Sequence, residues 1–429
     1  MAATLSAVLP GLGQLVNGRH RLARRLFLPF LAVGVVGWLV VQVLSGPRLL
    51  ATLVDPAVLS GLLVLNVLVL AWRVGAVGQA FFDRQFTLAP GRKGLLGLAL
   101  LVAVVALPHG LVTIHGLNAR DTFGGVFAAT SDPDDDPGSR ERTNVLLIGI
   151  DKTATRTATL TDTMMLVSVD PVGRTISMLS IPRDLVDVPL GNGDTYAPKL
   201  NSLMSYANRH PEDFPRGGVQ ALRDAVEALL GVEVHYHATL DFVGFVKMVD
   251  AVGGVDVTVA EGFDDPTYDG YGLPQHGWSI TAGRHRLDGI NALAYVRARK
   301  ASGESDFTRA ARQQQVLIAL RDRAMRGGGL VAALPNLLAA VRDMVTTDFP
   351  VGRLPELAAI VEEAGAGDVV RVVIRAPLVT GGRNRYGSVQ VPDIAAIRAM
   401  AGALFPEPGL PPEPWPTAKP SPASPSARP

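Results

Sequence analysis

The sequence predicts a mixed α/β domain, helices covering a sheet, carried on three membrane-spanning helices. Two observations carry that prediction. Three long apolar runs in the first 120 residues contain no formal charge, and strand-like and helix-like periods alternate from residue 143 to about 405. Composition agrees with the division. A chain that is 48% hydrophobic and only 18% charged is too apolar for an ordinary soluble enzyme and too charged for a transporter.

The uncharged runs are Leu26 to Ser45, Pro56 to Trp72 and Gly94 to Ala119. A bilayer core asks for about 20 apolar residues, with roughly 17 as the lower limit. Spans are therefore expected at about 26–45, 56–73 and 94–115, within a membrane region covering 1–120. Arg19, Arg21, Arg24 and Arg25 precede the first span, and Arg73, Arg84, Arg92 and Lys93 lie between the second and third. The positive-inside rule keeps both sets in the cytoplasm, so three crossings export everything after residue 120. The opening stretch Ala2 to Val16 is short, broken by Pro10, Gly11 and Gly13, and followed by its positive charges instead of preceded by them. It is a poor signal peptide and reads as an interfacial or re-entrant segment.

Residues 121–142 hold the acidic run Ser131-Asp-Pro-Asp-Asp-Asp-Pro-Gly138, expected to be a disordered linker. It lacks the glycine turn and terminal glutamate of a calcium loop. Residues 406–429 are proline-rich and expected to form an extended, disordered tail. Between them, in 143–405, Asn144 to Ile150, Thr163 to Val169 and Thr175 to Ile181 read as buried strands, the last two joined by the turn Asp170-Pro-Val-Gly173. Asp241 can cap a helix through Phe242, Phe245, Val246 and Val249, and Gly253-Gly254 stops it before a strand at Val255 to Val259.

Forty basic and 39 acidic residues give a net charge of +1, so no global positive field draws in nucleic acid. The absence of cysteine excludes a disulfide framework, a thiolate zinc site and a cysteine nucleophile. No Gly-x-Ser-x-Gly elbow appears. His235 and His237 alternate along a strand, but no third zinc ligand stands at an obvious spacing.

The polar residues of interest sit where the apolar strands end. Asp151 follows the first strand and Asp162 precedes the second, so the intervening loop can bring both carboxylates to one sheet edge, a hard-oxygen pair suited to Mg²⁺ (or Mn²⁺). Either aspartate taken alone reads equally as a turn or cap residue. Ser180-Ile-Pro-Arg-Asp184 closes the third strand, and Pro182 ends the ladder so that Arg183 projects beyond it. Tyr295-Val-Arg-Ala-Arg299 is read as extended, which puts Arg297 and Arg299 on one face. Asp306 opens a helix on which Arg309 and Gln313 share a face. Arginines grouped at element ends suit a pyrophosphate, because guanidinium forks bind phosphate oxygens bidentately and stay charged.

Taken together, Leu147-Ile-Gly-Ile-Asp151, Thr161-Asp-Thr-Met164, Ser180 to Asp184, Lys199-Leu-Asn201, Asp250 to Val255 and Tyr295 to Arg299, followed by Asp306, Arg309 and Gln313, resemble the LytR-CpsA-Psr proteins. The resemblance covers about residues 143–345 strongly and the stretch to about 405 more weakly. It implies a three-layer α/β/α extracytoplasmic domain with a central mixed sheet, and a hydrophobic groove for a polyprenyl chain. It also implies transfer of a glycopolymer phosphate from a polyprenyl-pyrophosphate lipid to a peptidoglycan hydroxyl at the plasma membrane. On that resemblance Asp151 and Asp162 match metal-associated aspartates, and Arg183, Arg297, Arg299, Arg309 and Gln313 match the pyrophosphate set, with Asp306 beside them and Lys199 from its own motif. Arg183, Arg297, Asp162 and Asp306 are the residues expected to take part in catalysis. Many relatives place an arginine shortly before the Asp-Thr of the second motif, where this chain has Leu160 and Thr161; Arg156 is the substitute within reach. The rival readings are a non-catalytic envelope sensor and a lipid-pyrophosphate hydrolase.

Overall fold

The structure, a computed structural model, describes all residues except 45, 84–90, 127–136, 139, 152–159, 269, 271–275, 299–304, 326–344, 365–368 and 415–429. It divides into two units, Met1–Gly124 and Gly125–Pro429.

The first unit is helical. Two short helices, α1 (Ala2–Val8) and α2 (Leu12–Val16), precede α3 (His20–Val43), α4 (Pro56–Phe81) and α5 (Arg92–Val126). These last three are each long and apolar enough to cross a membrane. Asp55 caps α4, its side chain accepting from Ala57 N at 2.7 Å, with Pro56 at the first helical position, where no N–H is needed. Polar groups tie α4 to α5: Asn66 Nδ2 donates to the Thr113 hydroxyl at 3.1 Å and to the His109 carbonyl at 3.0 Å. The opening segment folds against α4, where Gln14 Nε2 donates to Ala76 O at 2.8 Å and Arg73 donates to Ala7 O at 2.8 Å. Helix α5 runs beyond the span expected from the sequence, so residues 121–126 of the anticipated linker are helical. The acidic run 131–136 lies outside the described residues.

The second unit is built on a six-stranded mixed sheet. Its strands are β1 (Thr143–Asp151), β2 (Leu160–Asp170), β3 (Thr175–Ile181), β4 (Tyr236–Asp241), β5 (Val345–Thr347) and β6 (Val369–Val373), in the order β5-β4-β1-β2-β3-β6. The first three strands pair antiparallel, β4 and β6 add in parallel to β1 and β3, and β5 closes one edge antiparallel. The turn expected at Asp170 forms because its Oδ1 accepts from Val172 N and Gly173 N at 2.9 and 3.0 Å.

Alternation along the strands sends Leu146, Ile148, Met164, Leu166 and Leu179 to one face, where they pack with α6 (Gly217–Leu230) and α11 (Ile394–Leu404). Truncating one of these fully buried leucines to alanine costs about 2–5 kcal/mol. The other face carries Met165 and Met178 against Leu317 and Ile318 of α9 (Asp306–Met325) and Val361 of α10 (Leu354–Glu363). The result is the three-layer α/β/α arrangement. A neighbouring cluster joins α7 (Phe242–Ala251), α8 (Gly289–Arg297), α9 and the antiparallel pair Val255–Val259 and Gly283–Leu287. Asp241 caps α7 as expected, accepting from Gly244 N at 2.8 Å. Gly253 and Gly254 stop the helix at φ +78° and +88°, where a side chain is strained.

The start of the proline-rich tail departs from expectation. Residues 406–413 stay on the domain: Arg142 donates to the Pro406 and Leu410 carbonyls, Gly409 N donates to Asp170 Oδ2 at 2.9 Å, and Glu413 N donates to Ala403 O at 2.9 Å. Proline removes donors from a segment but not acceptors, and here its carbonyls accept.

Candidate active site

Between the α9 face of the sheet and helices α7 and α8 lies a cavity of about 810 Å³. Its interior is apolar, with Leu147, Met165, Leu240, Phe245, Met248 and Leu293 among the lining residues. Asp151, Asp162, Arg183, Lys199, Arg297, Arg309 and Gln313 also line it. Residues from seven separate stretches of sequence are thus brought to one place.

Asp151 is the last residue of β1 and is buried, 5% exposed. Asp162 lies inside β2, not ahead of it, and the register explains how it reaches the cavity. Gly149 pairs with Thr163 and Ile150 with Thr161, which leaves Asp162 opposite no residue: it is the extra residue of a β-bulge. In a regular strand Asp162 and Thr163 point to opposite faces. The bulge turns both toward the cavity, together with Leu160 and Asp151.

Arg183 leaves the end of β3 and donates from Nη1 to Asp162 Oδ1 at 2.5 Å. Its Nε is buried and, among the described residues, has no acceptor. Asn201 N donates to the Arg183 carbonyl at 3.1 Å and Leu200 N to the Leu185 carbonyl at 2.8 Å, so the Lys199-Leu-Asn201 motif is fastened to the Arg183 turn. That fastening sets Lys199 Nζ 2.9 Å from Asp184 Oδ1.

Arg297 corrects one expectation. The segment Tyr295 to Arg297 is the end of helix α8, not extended, because Asp288 caps the helix through Asn291 N at 2.8 Å and Ala292, Leu293 and Tyr295 bury its inner face. The period-two argument that paired Arg297 with Arg299 therefore fails, and Arg299 lies outside the described residues. Arg297 instead reaches Asp151, Nη2 to Oδ2 at 4.0 Å, with its guanidinium 4.0 Å above the Phe242 ring. Phe242 was legible only as an apolar helix position.

Helix α8 is held by a close approach. A Cβ on Gly289 would lie 2.2 Å from the Val246 carbonyl, while Gly289 N donates to Asp250 Oδ1 at 2.7 Å. This gives Asp250 of the Asp250-to-Val255 motif a physical task. Gly289→Ala is expected to cost about 1–3 kcal/mol by forcing α7 and α8 apart, read as a fall in the thermal unfolding midpoint; an unchanged midpoint contradicts the packing argument.

Arg309 is 6% exposed, with Nη2 2.7 Å from Asp306 Oδ1. Burial lowers its pKa and Asp306 draws it back up. Asp306 itself contacts Arg309 and is not among the cavity-lining side chains. Gln313, one turn on, lines the cavity, and Gln314 anchors α9 by donating to Ser180 Oγ at 3.0 Å and Val372 O at 2.9 Å. Leu160 lines the cavity wall and Thr161 donates to Asn201 O at 3.3 Å; Arg156 lies outside the described residues.

No group of three or more His, Asp or Glu side chains converges among the described residues. Five aspartates line the cavity; Asp184 pairs with Lys199, Asp241 accepts from Gly244 N and Asp265 from Thr267 N, while Asp151 and Asp162, at neighbouring strand ends, are the pair that fits a hard divalent ion completing its shell with water and phosphate oxygens. The two histidines have protein partners: His237 Nδ1 lies 2.9 Å from Asp348 Oδ2, and His235 Nδ1 accepts from Asn144 N at 3.0 Å.

The chain is 29% identical over 223 residues to the polyisoprenyl-teichoic acid–peptidoglycan teichoic acid transferase TagU of Halalkalibacterium halodurans, across 52% of this chain and 66% of the relative. It is 32% identical over 207 residues to the transferase of the same description, TagV, of Bacillus subtilis, across 48% and 49%. It is 33% identical over 210 residues to the regulatory protein MsrR of Staphylococcus aureus, across 48% and 56%. The chain thus spans between about half and just under two thirds of the length of these curated relatives. The LytR_cpsA_psr family model matches residues 126–399, which takes in the whole described sheet and every cavity-lining side chain named above. The chain belongs to the LytR-CpsA-Psr family.

Proposed function

We propose that this chain is a phosphotransferase that moves a glycopolymer phosphate from a polyprenyl-pyrophosphate lipid to a hydroxyl of peptidoglycan, outside the plasma membrane. One observation carries the reading: an apolar cavity of about 810 Å³ shares its lining with four cationic side chains, Arg183, Lys199, Arg297 and Arg309, and five aspartates, among them Asp151 and Asp162. An isoprenoid tail asks for the first property and a diphosphate for the second. The buried Arg183 Nε gains an acceptor when a phosphate oxygen arrives. The names of the two transferase relatives support the reaction class, and the charges flanking the three apolar helices support the outward orientation.

In the proposed reaction an acceptor hydroxyl attacks the phosphorus nearer the glycan. A new O–P bond forms, the bridging P–O bond breaks, polyprenyl phosphate leaves and the hydroxyl proton is released. The guanidinium groups of Arg183, Arg297 and Arg309, with Lys199 and Gln313, hold the phosphate oxygens and offset charge that builds as the bridge breaks. Asp306 acts through Arg309. Asp151 and Asp162 would hold Mg²⁺ or Mn²⁺, which supplies further neutralisation of the phosphates when bound.

The test incubates full-length protein in detergent with a polyprenyl-pyrophosphate glycan, peptidoglycan and Mg²⁺. Ligated product supports the proposal. Release of the glycan to water marks a hydrolase, and binding without turnover marks a sensor; either overturns it. Chelation of divalent ions is expected to abolish ligation, with recovery on adding Mg²⁺.

A further inference from the structure

Beyond the cavity, the residues that follow Arg183 support a second element. Strands β7 (Val379–Asn384) and β8 (Gly387–Pro392) form an antiparallel hairpin, and β8 docks directly behind the phosphate clamp. Gln390 N donates to Asp184 O at 2.9 Å and Val186 N donates to Gln390 O at 3.1 Å. The hairpin is therefore joined to the chain one residue from Arg183. Arg385, five residues from Gln390, lies about 17 Å along it at the rise of an extended strand.

Its two faces differ. Val389 is 3% exposed and turns inward, opposite the exposed Gly382. The register puts Gly381 opposite Gln390 and Arg383 opposite Ser388, so these four share the outward face, with Arg385 at the tip stacked 4.7 Å from the Tyr386 ring. Arg383 and Arg385 are exposed, and neither makes an ion pair among the described residues. Elsewhere around the site every cation named is matched to a carboxylate: Arg183 to Asp162, Lys199 to Asp184, Arg297 to Asp151 and Arg309 to Asp306. The hairpin carries positive charge that no carboxylate among the described residues neutralises.

We propose that the outward face of this hairpin is the track on which the acceptor is laid: Arg383 and Arg385 hold carboxylates of a peptidoglycan strand while its hydroxyl reaches the clamp at Arg183. The proposal rests on the acceptor being peptidoglycan, a glycan whose short peptide stems end in carboxylates, and it deepens that reading by assigning the second substrate its own surface. Charge complementarity selects this occupant over the donor: the donor's diphosphate and tail are already provided for by the cavity, whereas nothing in the cavity addresses an extended carboxylated polymer.

The experiment has two arms, both with full-length protein in detergent. In the first, native protein and the R383E/R385E variant are sedimented with purified peptidoglycan stripped of attached polymer, without any donor. The variant is expected to bind about ten-fold more weakly, R383K/R385K to bind nearly as native does, and native binding to weaken as salt rises. Peptidoglycan whose stem carboxylates have been amidated should bind native protein as weakly as the unmodified polymer binds the variant. In the second arm, ligation kinetics should show a raised KM for acceptor, with donor KM and kcat unchanged. Equal binding by native and charge-reversed protein, or a raised donor KM in place of a raised acceptor KM, overturns the track. If native protein ligates nothing, the transferase reading fails, while the sedimentation arm still decides whether the hairpin binds the wall polymer.

Discussion

Replacing Arg183 with alanine should lower the ligation rate about 10²–10³-fold, the loss typical when one preorganised donor to a developing charge is removed. The expectation follows from what the side chain touches. Its Nη1 is committed to Asp162 at 2.5 Å, while its buried Nε is left without an acceptor among the described residues, so one edge of the fork holds the carboxylate and another donor is held ready. Truncation removes a phosphate donor and also strips Asp162 of its cation. Arg183→Lys should recover little, because an ammonium restores charge but not the planar fork. The side chain is near the cavity surface, 15% exposed, and the backbone contacts to Asn201 survive truncation, so the unfolding midpoint should hardly move. A variant that folds and exports normally and ligates within about three-fold of native protein removes Arg183 from the proposed machinery.

The largest effect on stability is expected at Asp170, far from the chemistry. Its fully buried carboxylate accepts from Val172 N and Gly173 N on one oxygen, and from Arg142 Nη2 at 3.1 Å and Gly409 N at 2.9 Å on the other. Burial lowers the Arg142 pKa and Asp170 opposes that shift. Asp170→Ala leaves a buried guanidinium uncompensated, a loss of about 3–5 kcal/mol. For a domain of this size that is a fall of roughly 10 °C in Tm. Asp170→Asn keeps an acceptor for the turn and loses the charge, so it should fall between. Calorimetry of the three proteins checks the order, and a Tm for Asp170→Ala within about 2 °C of native contradicts the account.

The contrast between these two residues shows what the sequence makes legible. Arg183 was readable because Pro182 ends a strand beside it, a local cause. The three opening strands, the Asp170 turn and the Asp241 cap were readable for the same reason, since each depends on residues within a few positions. The partnership of Arg142 with Pro406 joins residues 264 apart, and no local pattern announces it. The bulge at Asp162 is likewise a property of two strands together, and strand periodicity in β2 alone places its start too late. Helix α8 was misread because Tyr295-Val-Arg-Ala-Arg299 satisfies a two-residue period, whereas its cap, Asp288, stands seven residues upstream of Tyr295. The cation–π contact of Arg297 with Phe242 follows from that helix and was hidden with it.

The clasp at Arg142 has a mechanical meaning. The strand that enters the domain and the segment that leaves it are fastened to each other at one point, through Arg142, Asp170, Pro406 and Gly409. A pull between the two arms is borne first by that knot of hydrogen bonds and passes from one arm to the other. The sheet that holds the arginines stays off the load path until the knot gives way.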